Sequence, residues 1–240
     1  MLSRKITRFI VAGAAAIAVA GGSYGIVSAT SSSGSAAASS SPAASSGGFA
    51  GGPGSGGGGS NARSGPAAGG ASGAVASLSA SEFTITTAAG QKVTVDEASS
   101  TTYQNGTSPA SASAITTGTP VLVLGTTSGT TITATQVIVQ SAGGGSATSP
   151  AAKVIPFQRG APATSKQVGQ IPANYSQGSG TIVSGTAANK ATEAALAAYP
   201  GGIVDRVVKL SNGDYEVHYI GVNWPHHVFV NQNFKVVGAE

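Results

Sequence analysis

The sequence predicts a mostly β protein with a small α+β unit at its end: a small all-β barrel, then one helix packed on an antiparallel sheet, joined by disordered linkers. Three observations carry this. Residues 73–140 alternate apolar and polar side chains with a period of two between glycine-bearing turns. Residues 181–240 open on an alanine-rich helical stretch and continue as apolar runs around Asn212-Gly213. The remainder is dominated by glycine, serine, alanine and proline. Only 8% of the 240 residues are charged and 36 are glycine, which is the composition of small folded units on unfolded spacers.

Taken in order, the chain begins with Arg4, Lys5 and Arg8 and then a weakly polar run from Phe9 to Ala29. That is the layout of an export signal, a positive start followed by an apolar segment and small residues. Val27-Ser28-Ala29 is a small-residue cleavage site, and cleavage after Ala29 releases the protein. Left uncleaved, the run is a membrane anchor, because about 20 residues suffice to cross a bilayer with the cations on the cytoplasmic side. Either way residues 1–29 place the rest outside the cytoplasm, secreted or held at the cell membrane by residues 9–29. Without those three cations, nine remain against eight carboxylates. The formal charge of +4 therefore describes no basic patch, and nucleic acid is not an expected partner. The chain has no cysteine, which excludes disulfides, thiolate metal sites and lipid attachment at an N-terminal cysteine.

Residues 30–72 are Gly, Ala, Ser and Pro with few exceptions, among them Phe49, Asn61 and Arg63. Such a segment buries too little apolar surface to offset its ordering entropy and reads as a flexible tether with a reach of about 35 Å. From residue 73 the period becomes two. Phe83, Ile85 and Thr87 alternate with Thr84 and Thr86; Val93 and Val95 flank Thr94; Val121 to Leu124 and Ile132 to Val139 follow turns at Gly118, Gly125 and Gly129. This predicts five or six strands over residues 73–140, and closure into a barrel protects their edges. The pattern Gly73-Ala74-Val75, Thr84-Ile85-Thr86, Val93-Thr94-Val95, Gly118-Thr119-Pro120-Val121-Leu122-Val123 and Thr131 to Val137 resembles an uncharacterised family of extracytoplasmic small β-barrel domains in bacterial secreted proteins. The resemblance implies a fold and a location, and no activity.

Residues 141–180 return to glycine, proline and serine, with Pro150, Pro156, Pro162 and Pro172 interrupting each apolar group, and read as a second linker. Val154-Ile155-Pro156-Phe157 is its one patch suited to docking on a neighbour. In residues 181–240, Thr186 is placed to cap a helix from Ala187 to Tyr199, with Ala191, Ala195, Ala198, Leu196 and Tyr199 along one side. Pro200-Gly201-Gly202 ends it. Strands follow over Ile203–Leu210 and Asp214–Val222, joined by a type I′ turn at Asn212-Gly213. After a turn at Asn223-Trp224-Pro225 come His226–Val230 and a terminal segment over Phe234–Gly238. This order, with Tyr199-Pro200-Gly201-Gly202, Val204-Asp205-Arg206-Val207, Asn212 to His218, Val228-Phe229-Val230 and Phe234 to Val237, resembles PepSY and PepSY-like domains, from which it departs at Asn223-Trp224-Pro225. The resemblance implies a noncatalytic extracytoplasmic module that binds or inhibits a peptidase, or contacts another envelope protein.

No motif supplies a reaction. The single Gly-x-Ser-x-Gly match, Gly21 to Gly25, lies in the export segment, and Gly-x-Gly-x-x-Gly occurs only in the tether. The protein is therefore expected to be no enzyme and to need no cofactor. Trp224 beside a proline at a hairpin tip, with Tyr215 and Tyr219, is the candidate partner-binding set, against the alternative that the indole folds back onto the helix to finish a thin core. His218, His226 and Glu216 are the residues that would serve a metal, against the alternative that the histidines are solvated or packed. Adjacent histidines in a strand face opposite ways, so His226 and His227 do not share one ion. Two further readings stand beside the regulatory one: a structural cell-wall spacer, and a histidine-based metal-binding protein.

Overall fold

In the computed structural model, which describes residues 65–141, 154–161 and 164–240, the first strand consists almost wholly of small side chains. Strand β1 (Ala67–Leu78) has the sequence AAGGASGAVASL. It is followed by β2 (Glu82–Thr87), β3 (Lys92–Asn105), β4 (Ser108–Ala110), β5 (Pro120–Ser128) and β6 (Thr131–Val139). The ring β1-β2-β3-β6-β5 closes back on β1, with every pairing antiparallel except β3 with β6. Closure leaves these strands without a free long edge. Inside lie Val75, Phe83, Ile85, Val93, Val95, Val121, Val123, Ile132 and Val137, all buried, which are the alternating positions of the sequence pattern.

The end of the expected tether, residues 67–72, is strand rather than spacer. β1 pairs with β5 from Ala67 to Ala74, with β2 from Gly73 to Leu78, and with a strand of the C-terminal unit at Gly70 and Ala71. A Cβ at Gly69 would strike the Val204 carbonyl, and one at Gly73 the Thr86 carbonyl. The small residues that read as low complexity are the ones that let three strands press on one.

The second linker also contains short strands: β7 (Ile155–Pro156), β8 (Val168–Gly169) and, at its end, β9 (Thr181–Ile182). Helix α1 (Gly185–Ala198) starts after Ser184, not at Thr186, and buries Ala188, Ala191, Thr192, Ala195 and Leu196. That i, i+3, i+4, i+7, i+8 spacing is one face of a helix. Then come β10 (Ile203–Lys209), β11 (Tyr215–Ile220), β12 (Val222–Trp224), β13 (His227–Val230) and β14 (Val236–Ala239). The loop between β10 and β11 differs from the expected two-residue turn. Leu210 and Asp214 close a three-residue loop, with the Gly213 amide donating to the Leu210 carbonyl and Gly213 at φ 89°, the three-residue form of hairpin.

The barrel and the C-terminal strands share one sheet, which continues from β1 through β10, β11, β13 and β14 to β8, while β9 pairs with β10 and β7 pairs with β12. Val154 and Ile155 pack on the C-terminal core, so the docking patch of the linker finds its neighbour within the chain. β5 joins the two halves by facing both ways. Val121 and Val123 point into the barrel, whereas Leu122 and Leu124 belong to the second core beneath α1, with Val204, Val207, Val217, Tyr219 and Trp224. In return Ile203 of β10 enters the barrel core. The Thr87 hydroxyl donates to the buried Gly201 carbonyl at 2.7 Å, fixing the β2–β3 turn to the loop after α1. The described residues accordingly belong to one compact unit, within Gly54–Glu240. The expected export signal over residues 1–29 and the expected tether over residues 30–64 lie outside the described residues. No helix among the described residues is long and apolar enough to cross a membrane.

Candidate functional site

The residues expected at a partner surface are core residues. Trp224 is completely buried, because Asn223-Trp224-Pro225 is not an exposed hairpin tip: Val222–Trp224 is β12, paired with β7. The indole stands edge-on to Tyr199, with ring centroids 5.5 Å apart. Its Nε1 donates to the Lys166 carbonyl at 2.7 Å, and the Lys166 ammonium lies 4.4 Å from the ring centroid. Tyr219 is also completely buried, and burial, with Tyr199 as a second cause, pushes its phenol well above the ordinary value. Tyr215 is buried and stacks on Phe234 at 5.6 Å. Of the two readings of Trp224, the indole folded into a thin core is the one found, with the Lys166 segment laid over it. Among the described residues the large exposed apolar side chains are Leu78 and Phe157.

The strand register places the polar side chains on the sheet face turned away from α1. Arg206 lies opposite His218, and His218 opposite His227, across β10, β11 and β13. In the next row Val208, Glu216 and Phe229 are aligned. His227, not His226, is therefore the cross-strand partner of His218, and the residue missed from the candidate set was the inward neighbour of the one chosen. Both registers follow from which of the two adjacent histidines faces the sheet interior, a parity that the misread turn concealed.

Two carboxylate–histidine pairs result. Nδ1 of His218 is 2.6 Å from Oδ1 of Asp205, whose other oxygen accepts from Nη1 of Arg206 at 3.0 Å. Nδ1 of His227 is 2.7 Å from Oε1 of Glu216, and Glu216 is completely buried. The two imidazoles meet edge to face with centroids 5.1 Å apart. Tyr175 of the second linker covers the group, 4.7 Å from Phe229 and 5.7 Å from His227 between ring centroids. Burial, then the charges of Glu216 and Glu240, push its phenol above the ordinary value, so it remains a neutral hydroxyl. Three enclosed polar atoms here lack a protein partner: Oε2 of Glu216, Nε of Arg206 and the Tyr175 hydroxyl. His226 is exposed. Its pKa is lowered, first by partial desolvation and then by His218 and His227, against a raising hydrogen bond to the Tyr219 main chain.

Glu216, a candidate ligand in the sequence, is thus engaged with His227 rather than turned toward a shared metal. Among the described residues no three His, Asp or Glu side chains converge as a complete metal site. A groove of about 560 Å³ runs between α1 and the barrel wall, lined by Gln104, Gln136, Gln140, Asn189, Lys190 and Glu193 among others. Among the described residues Glu193 is the carboxylate in this lining, with Lys190 beside it. Comparison with protein-family models, with curated proteins and with solved structures finds no match. Among the described residues the fold is mostly β, with one α-helix on a large mixed sheet.

Proposed function

We propose that this is an exported, noncatalytic envelope protein whose folded unit, carried on the Gly/Ser/Ala-rich segment, binds a peptidase or another envelope protein. The observation that carries this reading is at the outer edge of the C-terminal sheet. There β14 is covered by the short strand β8, through pairings Gly238 with Gly169 and Ala239 with Val168. The chain itself performs strand addition at this edge, and an extended segment of a partner would use the same main-chain groups after displacing β8. The resemblance to PepSY domains supplies the peptidase as partner class.

The test uses the purified full chain against an exported peptidase of the native envelope, with an amine-reactive cross-linker and mass spectrometry. Lys166 and Lys235 flank the β8–β14 edge in sequence. Inhibition of the peptidase with cross-links from these two lysines is the expected result. A second reading, the structural spacer, is favoured by the burial of Trp224, Tyr215 and Tyr219. Unchanged peptidase activity and no cross-link from either lysine would leave the spacer as the better account.

A further inference from the structure

We propose that His218 and His227 form a cross-strand bis-imidazole site for a divalent transition metal, with Cu²⁺ preferred over Zn²⁺. The argument begins with the ladder. The Tyr219 amide donates to the His226 carbonyl at 2.7 Å, while the His227 amide turns away to the Glu240 carbonyl. The 218/227 pair is therefore the non-hydrogen-bonded kind, in which Cα atoms stand about 4.5 Å apart and side chains are closest. The ring centroids are 5.1 Å apart, edge to face, so the two imidazoles are neighbours on one face of the sheet.

Each Nδ1 is held by its own carboxylate, Asp205 for His218 and Glu216 for His227. An ionised carboxylate only accepts, so Nδ1 carries the hydrogen of the neutral ring and Nε2 the lone pair. This is the carboxylate–histidine arrangement that orients a ligating imidazole and raises its basicity. Neither Nε2 has a hydrogen-bond partner among the described residues, and neither is among their enclosed, unpaired atoms. The carboxylates of Asp205 and Glu216, with Glu240 acting on the covering Tyr175, stand around the pair against the one guanidinium of Arg206, a balance that favours a cation. Tyr175, kept neutral by burial, adds no phenolate, and exposed His226 stands outside the pair. Two imidazoles with water in the remaining positions follow, and such a nitrogen set ranks Cu²⁺ above Zn²⁺.

The test is calorimetric titration of the full chain with CuCl₂ and with ZnCl₂ in a non-coordinating buffer, together with the electron paramagnetic resonance spectrum of the Cu²⁺ form. The expected result is one Cu²⁺ per chain, bound more tightly than Zn²⁺, with splitting from two imidazole nitrogens. His218→Gln and His227→Gln each abolish that site, His226→Gln keeps it, and Asp205→Asn weakens it about tenfold or more. Circular dichroism accompanies each variant, and the wild-type spectrum decides the matter should His227→Gln fail to fold. A wild-type spectrum with one nitrogen or none, or binding that survives in folded His218→Gln, would overturn the proposal.

Discussion

Trp224 shows how far one residue's role depends on what covers it. Its ring lies against Tyr199 and its Nε1 donates to Lys166, which is distant in sequence. Trp224→Ala is expected to cost about 3–5 kcal/mol, the range for emptying a buried aromatic site, read from urea unfolding. A cost below about 1 kcal/mol would return the indole to the surface. His226 supplies a pH dependence at the same scale. Its folded pKa is lowered, so the unfolded chain binds the proton more readily. The associated stability is complete above the unfolded value of about 6.5 and is lost as pH falls through the lowered folded value. Because the ring is exposed, solvent screening keeps the effect small. Thermal melts between pH 5 and 8 should fall less steeply on the acid side in His226→Gln than in the wild type, and parallel curves would remove His226 as a cause. The sequence made Glu216 and His218 legible as same-face residues, since parity within a strand is local. It did not show that His227 completes them, because that required the register across a turn whose conformation was misread.

At the scale of elements, β1 and β5 carry the organisation. The run Val121-Leu122-Val123-Leu124 lacks strict alternation, and both its faces are buried, in two different cores. Within the period-two pattern of residues 73–140 that run reads as a barrel strand, whereas an unbroken apolar run is what burial on both faces produces. The role of β1 was hidden by its composition. Gly69→Val and Gly73→Val are each expected to destabilise by about 3 kcal/mol or more, beyond ordinary overpacking, since the new atom meets main-chain carbonyls that cannot give way. Gly65→Val should be neutral, because a Cβ there meets nothing within 4 Å. Equal tolerance at all three positions, measured by thermal melting, would restore the spacer reading of residues 67–72. The loop after α1 follows the same logic. A Cβ at Gly202 would enter the ring of Tyr219, so this glycine of Pro200-Gly201-Gly202 serves packing as well as helix termination.

For the whole molecule, the shared sheet and exchanged core residues predict one cooperative unfolding transition for the full chain, with far-ultraviolet and tryptophan signals coincident. Residues 181–240 alone lack Leu122 and Leu124 beneath the helix and the Lys166 segment over Trp224. They should give a poorly dispersed NMR spectrum; two separate transitions, or a well-dispersed fragment, would show that the halves fold independently. By itself the sequence determined the strand period, the helix and its stripe of small side chains, the turns at Gly118 and Gly129 and the mostly β class, whereas Gly125, expected at a turn, lies inside β5. These depend on side-chain alternation and backbone preferences within about ten residues. Only the tertiary structure decided that β1 serves both halves, that the second linker seals the C-terminal core, and that His218 meets His227. Those outcomes rest on pairings between distant segments, such as Thr87 with Gly201 across 114 positions, and on desolvation, which no local stretch of chain specifies.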